Sequence, residues 1–172
     1  MIERTNGVPH AVPRICIMPG GKGERNVKYI RRAAEEDLAR IAEIEVFNYR
    51  LNFYPLFRDD GFYFKTLTVP AQMETHRPQL ENTYVYSDGA VKGFMRIKGR
   101  EIEKLFVEPV LQGRAIGASL LEYAASEMGA NTLWALEKNV RAIAFYERHG
   151  FRKTEDRRPE EDTDEYLVRM ER

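Results

Sequence analysis

The apolar positions change period several times along the chain, and each change marks an element. Val27 to Arg32 reads as a first strand, and then Ala34, Leu38, Ile41, Ile44, Phe47 and Leu51 recur at spacings of three and four. That spacing predicts a helix with one apolar face. Glu35, Glu36 and Asp37 stand in its first turn, where negative charge suits the helix dipole. Residues 69–79 hold two prolines and no period, which predicts a loop or a frayed helix with His76 as an exposed loop residue. Thr83 to Ser87 and Ala90 to Lys98 are strand-like runs around Ser87-Asp88-Gly89, a hairpin turn signal. A second tight turn near Gly99-Arg100 leads into a third antiparallel strand.

That third strand begins at Glu101. Alternation places Ile102 and Phe106 on one side and Leu105 and Val107 on the other, so the strand is buried at least partly on both faces. Pro109 stops it, and a short loop reaches Gln112-Gly113-Arg114-Ala115-Ile116-Gly117. A helix follows, with Ile116, Leu120, Leu121, Ala124 and Met128 on one side and Gly129 at its end. Thr132 to Leu136 is a short buried strand with Trp134 in the core. Asn139 sits where an N-cap belongs, and the helix from Val140 closes at His149-Gly150, with His149 a cation near its C-terminus. Phe151 to Thr154 and Glu165 to Met170 are the last strands, joined by a charged, solvated loop from Glu155 to Asp164.

Composition narrows the choice of function. A chain of 172 residues with 43% hydrophobic and 31% charged content forms one globular domain with a substantial core. Its 27 basic and 27 acidic side chains cancel, which argues against a broad electrostatic grip on nucleic acid or an anionic membrane. Any anion site must be local. The one cysteine, Cys16, excludes an internal disulfide and a multi-thiolate zinc site, and His10, His76 and His149 lack metal-ligand spacing, so no metal is expected.

Residues 1–26 carry Pro9, Pro13 and Pro19, several glycines and no sustained periodicity. They are expected to form a poorly ordered tail before a single domain over residues 27–172. Gly20-Gly21-Lys22-Gly23 fails as a phosphate loop, because no Ser or Thr follows the lysine and no helix opens there. Lys22-Gly23-Glu24 can be encoded by purine-rich DNA resembling a ribosome-binding site, which makes a start near Val27 a second expectation for this segment. The apolar run Ile15 to Met18 is too short for a signal-peptide core or a membrane span, so the expected location is the cytoplasm.

The chemistry is expected at the strand, loop and helix around residue 112. The first turn of a helix has unpaired N–H groups at the positive end of its dipole, and such an end binds anions. Small residues at Gly113, Ala115 and Gly117 let a phosphate approach the main chain, and Arg114 adds a cation. The loop carries neither Gly-x-Gly-x-x-Gly nor Gly-Lys-Ser/Thr, and a tight loop whose glycines serve packing is the plain alternative.

Elsewhere, seven of the sixteen residues from Tyr49 to Phe64 are aromatic. They are either a substrate-facing wall or the core contribution of an irregular helix. Glu101 and Glu103, two apart on one strand, are expected to share the face of Leu105 and Val107 and to serve as candidate bases; a solvated strand end is the alternative.

Gln112, Ala115 and Gly117 fit the pattern Gln/Arg-x-x-Gly/Ala-x-Gly/Ala. With the preceding strand and the block Asn139-Val140-Arg141-Ala142-Ile143-Ala144-Phe145-Tyr146-Glu147-Arg148-His149-Gly150-Phe151, the chain resembles the GNAT superfamily of acetyl-CoA-dependent N-acetyltransferases over about Val27 to Arg172. The resemblance implies an α/β (α+β) fold whose central sheet is mixed and mostly antiparallel, with six to seven strands and about four flanking helices. It implies acetyl-CoA as co-substrate, clamped by Val107, Gln112, Gly113, Arg114, Ala115, Ile116 and Gly117. The pantetheine arm would lie along the 101–107 strand where it splays from the 132–136 strand, with Asn139 hydrogen-bonding the arm.

Tyr146 matches the family's tyrosine general acid, and Glu101 and Glu103 match positions where several members place a base, though others use a water chain. The acceptor would be a small-molecule or peptide amine. Edge strands of this fold often pair between chains, so a homodimer is compatible with it. A non-catalytic acyl-CoA-binding regulatory module is the alternative function.

Overall fold

The computed structural model describes residues 14–16, 27–161 and 163–172, and of residues 14–16 only the backbone. The tail residues around them, including His10 and Gly20 to Gly23, lie outside the described residues. Eight strands are described: β1 (Arg14–Cys16), β2 (Ile30–Arg32), β3 (Thr83–Ser87), β4 (Val91–Lys98), β5 (Glu101–Val107), β6 (Thr132–Leu136), β7 (Arg152–Pro159) and β8 (Tyr166–Glu171). The helices are α1 (Leu38–Asn52), α2 (Tyr54–Phe57), α3 (Val69–His76), α4 (Ile116–Ser126) and α5 (Val140–Arg148).

One sheet runs β2-β3-β4-β5-β6-β8-β7, with β1 beside β5. Its pairs are antiparallel except β5 with β6 and β1 with β5, so the sheet is mixed and mostly antiparallel as expected. Each face is covered. One core joins Met95, Leu105 and Val107 to α4 and α5 through Leu120, Leu121, Phe145 and Tyr146. The other joins Phe94 and Phe106 to α1 through Ile41, Ile44 and Tyr49.

The first strand is shorter than its sequence pattern, because Val27–Tyr29 forms a 3-10 turn ahead of Ile30. Helix α1 buries Leu38, Ile41 and Ile44 of the predicted stripe, but the stripe turns away from Phe47 and Leu51. Ala42, Glu45, Asn48 and Tyr49 are buried with them, whereas Phe47 and Leu51 are 64% and 57% exposed. Asp37, just before α1, accepts from Ala34 N–H and pairs with both Arg31 amino groups. Burial pushes its carboxyl up, but the Arg31 and Ala34 bonds hold it below the usual carboxylate range.

The stretch at 69–79 is ordered. Thr68 caps α3 by accepting from Ala71 N–H, and a 3-10 turn, Arg77–Asn82, connects α3 to β3. The turns at Gly89 and Gly99 have φ of 113° and 59°, left-handed values that favour glycine. Two further expectations are corrected. The charged run after Thr154 continues β7 to Pro159, an exposed strand at the sheet's edge whose charges suit that position, and Glu160 beyond it is buried. Trp134 is half-buried, with the Arg158 guanidinium 4.3 Å from its ring centre.

Candidate functional site

β5 ends at Val107, a 3-10 turn (Pro109–Leu111) follows, and Gln112 to Ala115 lead into α4. Gly113 has φ of 84° and Ala115 φ of 61°, so the loop turns through the left-handed region twice. The first intrahelical bond of α4 runs from Ser119 N–H to the Ala115 carbonyl, which leaves the N–H groups of Ile116, Gly117 and Ala118 at the helix mouth. Gly113 and Arg114 are exposed, Gly117 is buried and Ala115 lies between.

Gly93 on β4 seats this helix end. A Cβ there would stand 2.9 Å from the Phe106 carbonyl oxygen and 3.2 Å from Ile116 Cγ2. Gln112 turns back rather than outward, its amide donating to Asn48 Oδ1 at 3.2 Å and to the Val107 carbonyl at 3.4 Å. Asn48 in turn donates to that same carbonyl at 3.0 Å, so α1 and the loop both grip the end of β5.

β5 and β6 pair only at Glu101 with Thr132 and Ile102 with Leu133, and then they part. β4 lines the other edge of β5 along its length. The edge that β6 leaves open faces β1, which runs parallel to Lys104, Leu105 and Phe106. Across the parting, Asn139 caps α5 by accepting from Ala142 N–H at 3.1 Å. Tyr146, about two turns along the same helix, is buried with its ring 5.3 Å from Phe145 and 5.8 Å from Phe151, centre to centre. His149 has Nδ1 2.8 Å from the Phe145 carbonyl, placing it at the C-terminal turn of α5 as expected.

The two carboxylates do not simply share a face with Leu105 and Val107. Arg96 pairs with Lys104 and Ile97 with Ile102, so Glu103 is the extra residue of a bulge in β5. The bulge breaks strict alternation, and Ile102 joins Leu105 and Val107 in one core. Both carboxylates are half-buried, and Glu103 Oε2 lies 3.5 Å from Arg96 Nη1.

His76 is not an exposed loop residue. It is fully buried at the end of α3, where its Nε2 meets Glu45 and its Nδ1 lies 2.5 Å from Arg96 Nη2. A guanidinium only donates, so Nδ1 accepts, and Nε2 carries the proton that bonds Glu45. Burial pushes its pKa down, Glu45 opposes this, and the Lys104 and Arg96 cations add to the lowering. Lys104 Nζ reaches the second Glu45 oxygen at 2.6 Å. Sequence reading missed this cluster. The available signal was Glu45 and Asn48 at helical spacing from Ile41, inside the buried stripe.

The core reading of the aromatic stretch holds for part of it. Tyr49, Phe53 and Tyr63 are buried in the core, while Phe64 is exposed under the Arg50 guanidinium. Burial pushes the Tyr63 hydroxyl pKa up, with Asp59 and Glu160 adding to it. Among the described residues no three His, Cys, Asp or Glu side chains stand together as metal ligands, and no helix is long and apolar enough to cross a membrane.

A mostly antiparallel sheet that parts beside an open helix N-terminus defines the class as an α+β protein. Residues 79–153 match the family model for the acetyltransferase (GNAT) domain, which supports the GNAT resemblance read from the sequence. A 62-residue stretch is 36% identical to the peptidyl-lysine N-acetyltransferase YjaB of Salmonella typhimurium, spanning 36% of this chain and 43% of that one. The peptidyl-lysine N-acetyltransferase YiaC of Escherichia coli is 31% identical over 84 residues, 48% of this chain and 58% of the relative. The matches thus span about half the length of these relatives.

The same fold is seen in the solution structure of apo YjaB from Escherichia coli, with a TM-score of 0.62, 22% identity, and coverage of 83% of this chain and 95% of that one. It is seen too in the PaiA N-acetyltransferase of Thermoplasma acidophilum, solved in complex with coenzyme A, with a TM-score of 0.58, 16% identity, and coverage of 83% and 98%.

Proposed function

We propose that the protein is an acetyl-CoA-dependent N-acetyltransferase that acts on a primary amine of a small molecule or peptide by direct attack in a ternary complex. The observation that carries this reading is the parting of β5 from β6 at the mouth of α4. The names of YjaB and YiaC favour a lysine side chain as acceptor.

The residues present suit coenzyme A. Ile116 and Gly117 N–H groups, with Gly113, Arg114 and Ala115, would hold the diphosphate, and the left-handed turns at Gly113 and Ala115 aim the loop's amides. Gln112 fixes the end of β5 at Val107, and the arm would follow that strand toward Asn139. The bound thioester supplies an acyl carbon open to attack. Tyr146 donates its hydroxyl proton toward the departing sulfur, and Glu103 or Glu101 takes a proton from the acceptor ammonium. Alignment of amine and acyl carbon inside the split supplies much of the rate.

The direct test is thiol release from acetyl-CoA with a lysine peptide, a polyamine and free amino acids as acceptors. Turnover with one of these is the expected result. Coenzyme A binding with no turnover on any of them would replace the enzyme with a binding module.

A further inference from the structure

The mechanism so far leaves a buried polar chain unused. Lys104, Glu45, His76 and Arg96 are each 4% exposed or less, and they link β5, α1, α3 and β4 in that order. Lys104 bonds Glu45, Glu45 bonds His76, His76 accepts from Arg96, and Arg96 reaches Glu103 at 3.5 Å. Two acids, two bases and a neutral imidazole sum to zero charge, which lowers the cost of keeping the chain out of water. Only its Glu103 end meets solvent.

That end lies at the split. Ile102 makes the last pair with β6, and Glu103 is the next residue, the one the bulge adds to β5. A glutamate side chain at an open strand position samples several rotamers, and a base that samples several positions is a poor base. The guanidinium fork, fixed on one arm by His76, offers its other arm to Glu103. At 3.5 Å the guanidinium is close enough for its charge to bias the direction of the Glu103 carboxylate.

We propose that Arg96 is a positioning residue, held by His76 and Glu45, that sets the Glu103 carboxylate toward the acceptor amine. The inference rests on the transferase reading. Glu103 takes one proton from the acceptor's ammonium, leaving a neutral amine whose lone pair bonds the acyl carbon as the carbon–sulfur bond breaks. The sulfur takes the Tyr146 proton, the amide nitrogen sheds its extra proton to restore the tyrosine, and Glu103 releases its proton to solvent.

The test is a double-mutant cycle on the full chain with Arg96→Gln, Glu103→Gln and the pair, reading kcat and KM for a lysine peptide and the affinity for coenzyme A. Glu103→Gln is expected to lower kcat about 100-fold, in the range of a positioned general base. Arg96→Gln is expected to lower kcat about 10-fold alone and less than about twofold when Glu103 is already glutamine, with coenzyme A affinity unchanged.

Multiplicative losses would show that Arg96 acts only on the fold, and wild-type turnover by Glu103→Gln would remove the base; either overturns the proposal. Should Arg96→Gln melt below the assay temperature, Arg96→Lys is used in the same cycle. It keeps the charge without the fork, and the same coupling is expected. A wild-type protein that binds coenzyme A but acetylates nothing would overturn the transferase reading and this proposal with it, whereas an active wild type with an additive cycle sinks only the role of Arg96.

Discussion

The Lys104 ammonium stands 2.6 Å from Glu45 Oε1, and both side chains are sealed between α1 and β5. Removing one member of such a pair leaves a buried charge without its partner, which costs roughly 3–5 kcal/mol. Lys104→Met is therefore expected to destabilise the fold by about that amount in urea unfolding. Adding Glu45→Gln, which removes the stranded charge and keeps a bond to His76, is expected to restore part of the loss. A Lys104→Met protein as stable as wild type would contradict the pairing.

Burial of His76 beside that carboxylate makes stability depend on pH. His76 is held neutral in the fold with its pKa lowered from 6.5, so below that value the unfolded chain binds a proton that the folded chain refuses. The His76 contribution is fully present above pH 6.5 and is lost as pH falls toward the lowered folded value. Unfolding free energy is expected to decline over that window in the wild type. His76→Gln, which keeps a donor for Glu45 and an acceptor for Arg96, is expected to flatten the decline.

Gly93 is where the sheet admits the first turn of α4. Gly93→Ala would press a methyl group against the Phe106 carbonyl and the start of α4, at 2.9 Å and 3.2 Å. The expected cost is about 1–3 kcal/mol of stability, as for other overpacked sites. Because the displaced atoms include Ile116 in the first turn of α4, coenzyme A binding is expected to weaken as well, measured by calorimetry. Unchanged affinity would separate the helix mouth from the anion site.

The contrast between this glycine and His76 shows what the chain discloses before it is folded. The loop from Gln112 to Gly117 and the cap at Asn139 were legible because their chemistry is local: small residues, a turn and a helix start within a few positions. The hairpin at Gly89 was legible for the same reason. His76 was not, since its partners Glu45 and Arg96 lie 31 and 20 residues away and burial depends on all three meeting. The bulge at Glu103 escaped alternation because it is defined by a partner strand, and Phe47 and Leu51 misled because a helix packs Glu45 and Asn48 inward when their bonds are satisfied there.

Tyr146 is the proposed general acid, and its hydroxyl is the one group that distinguishes it from phenylalanine. Its ring packs on Phe145 and Phe151, so Tyr146→Phe keeps the packing and the fold. The expected result is a kcat about 100-fold lower with coenzyme A affinity and melting temperature close to wild type. A variant that turns over like wild type would move the acid elsewhere.

The last expectation concerns β1. Its backbone pairs with Lys104, Leu105 and Phe106 along the edge that β5 exposes after leaving β6. The family resemblance lays the pantetheine arm on that same edge, and one strand edge pairs with one partner at a time. An arm bound on that edge is therefore expected to displace residues 14–16, with the apparent affinity reduced to the fraction of molecules in which the edge is free. A chain beginning at Val27 is expected to bind coenzyme A about threefold or more tightly than the full chain by calorimetry. Excess coenzyme A is expected to speed tryptic cleavage after Arg14 in the full chain, since pairing with β5 is what shields that backbone. Equal affinities, with cleavage indifferent to the ligand, would mean that β1 and the arm do not compete.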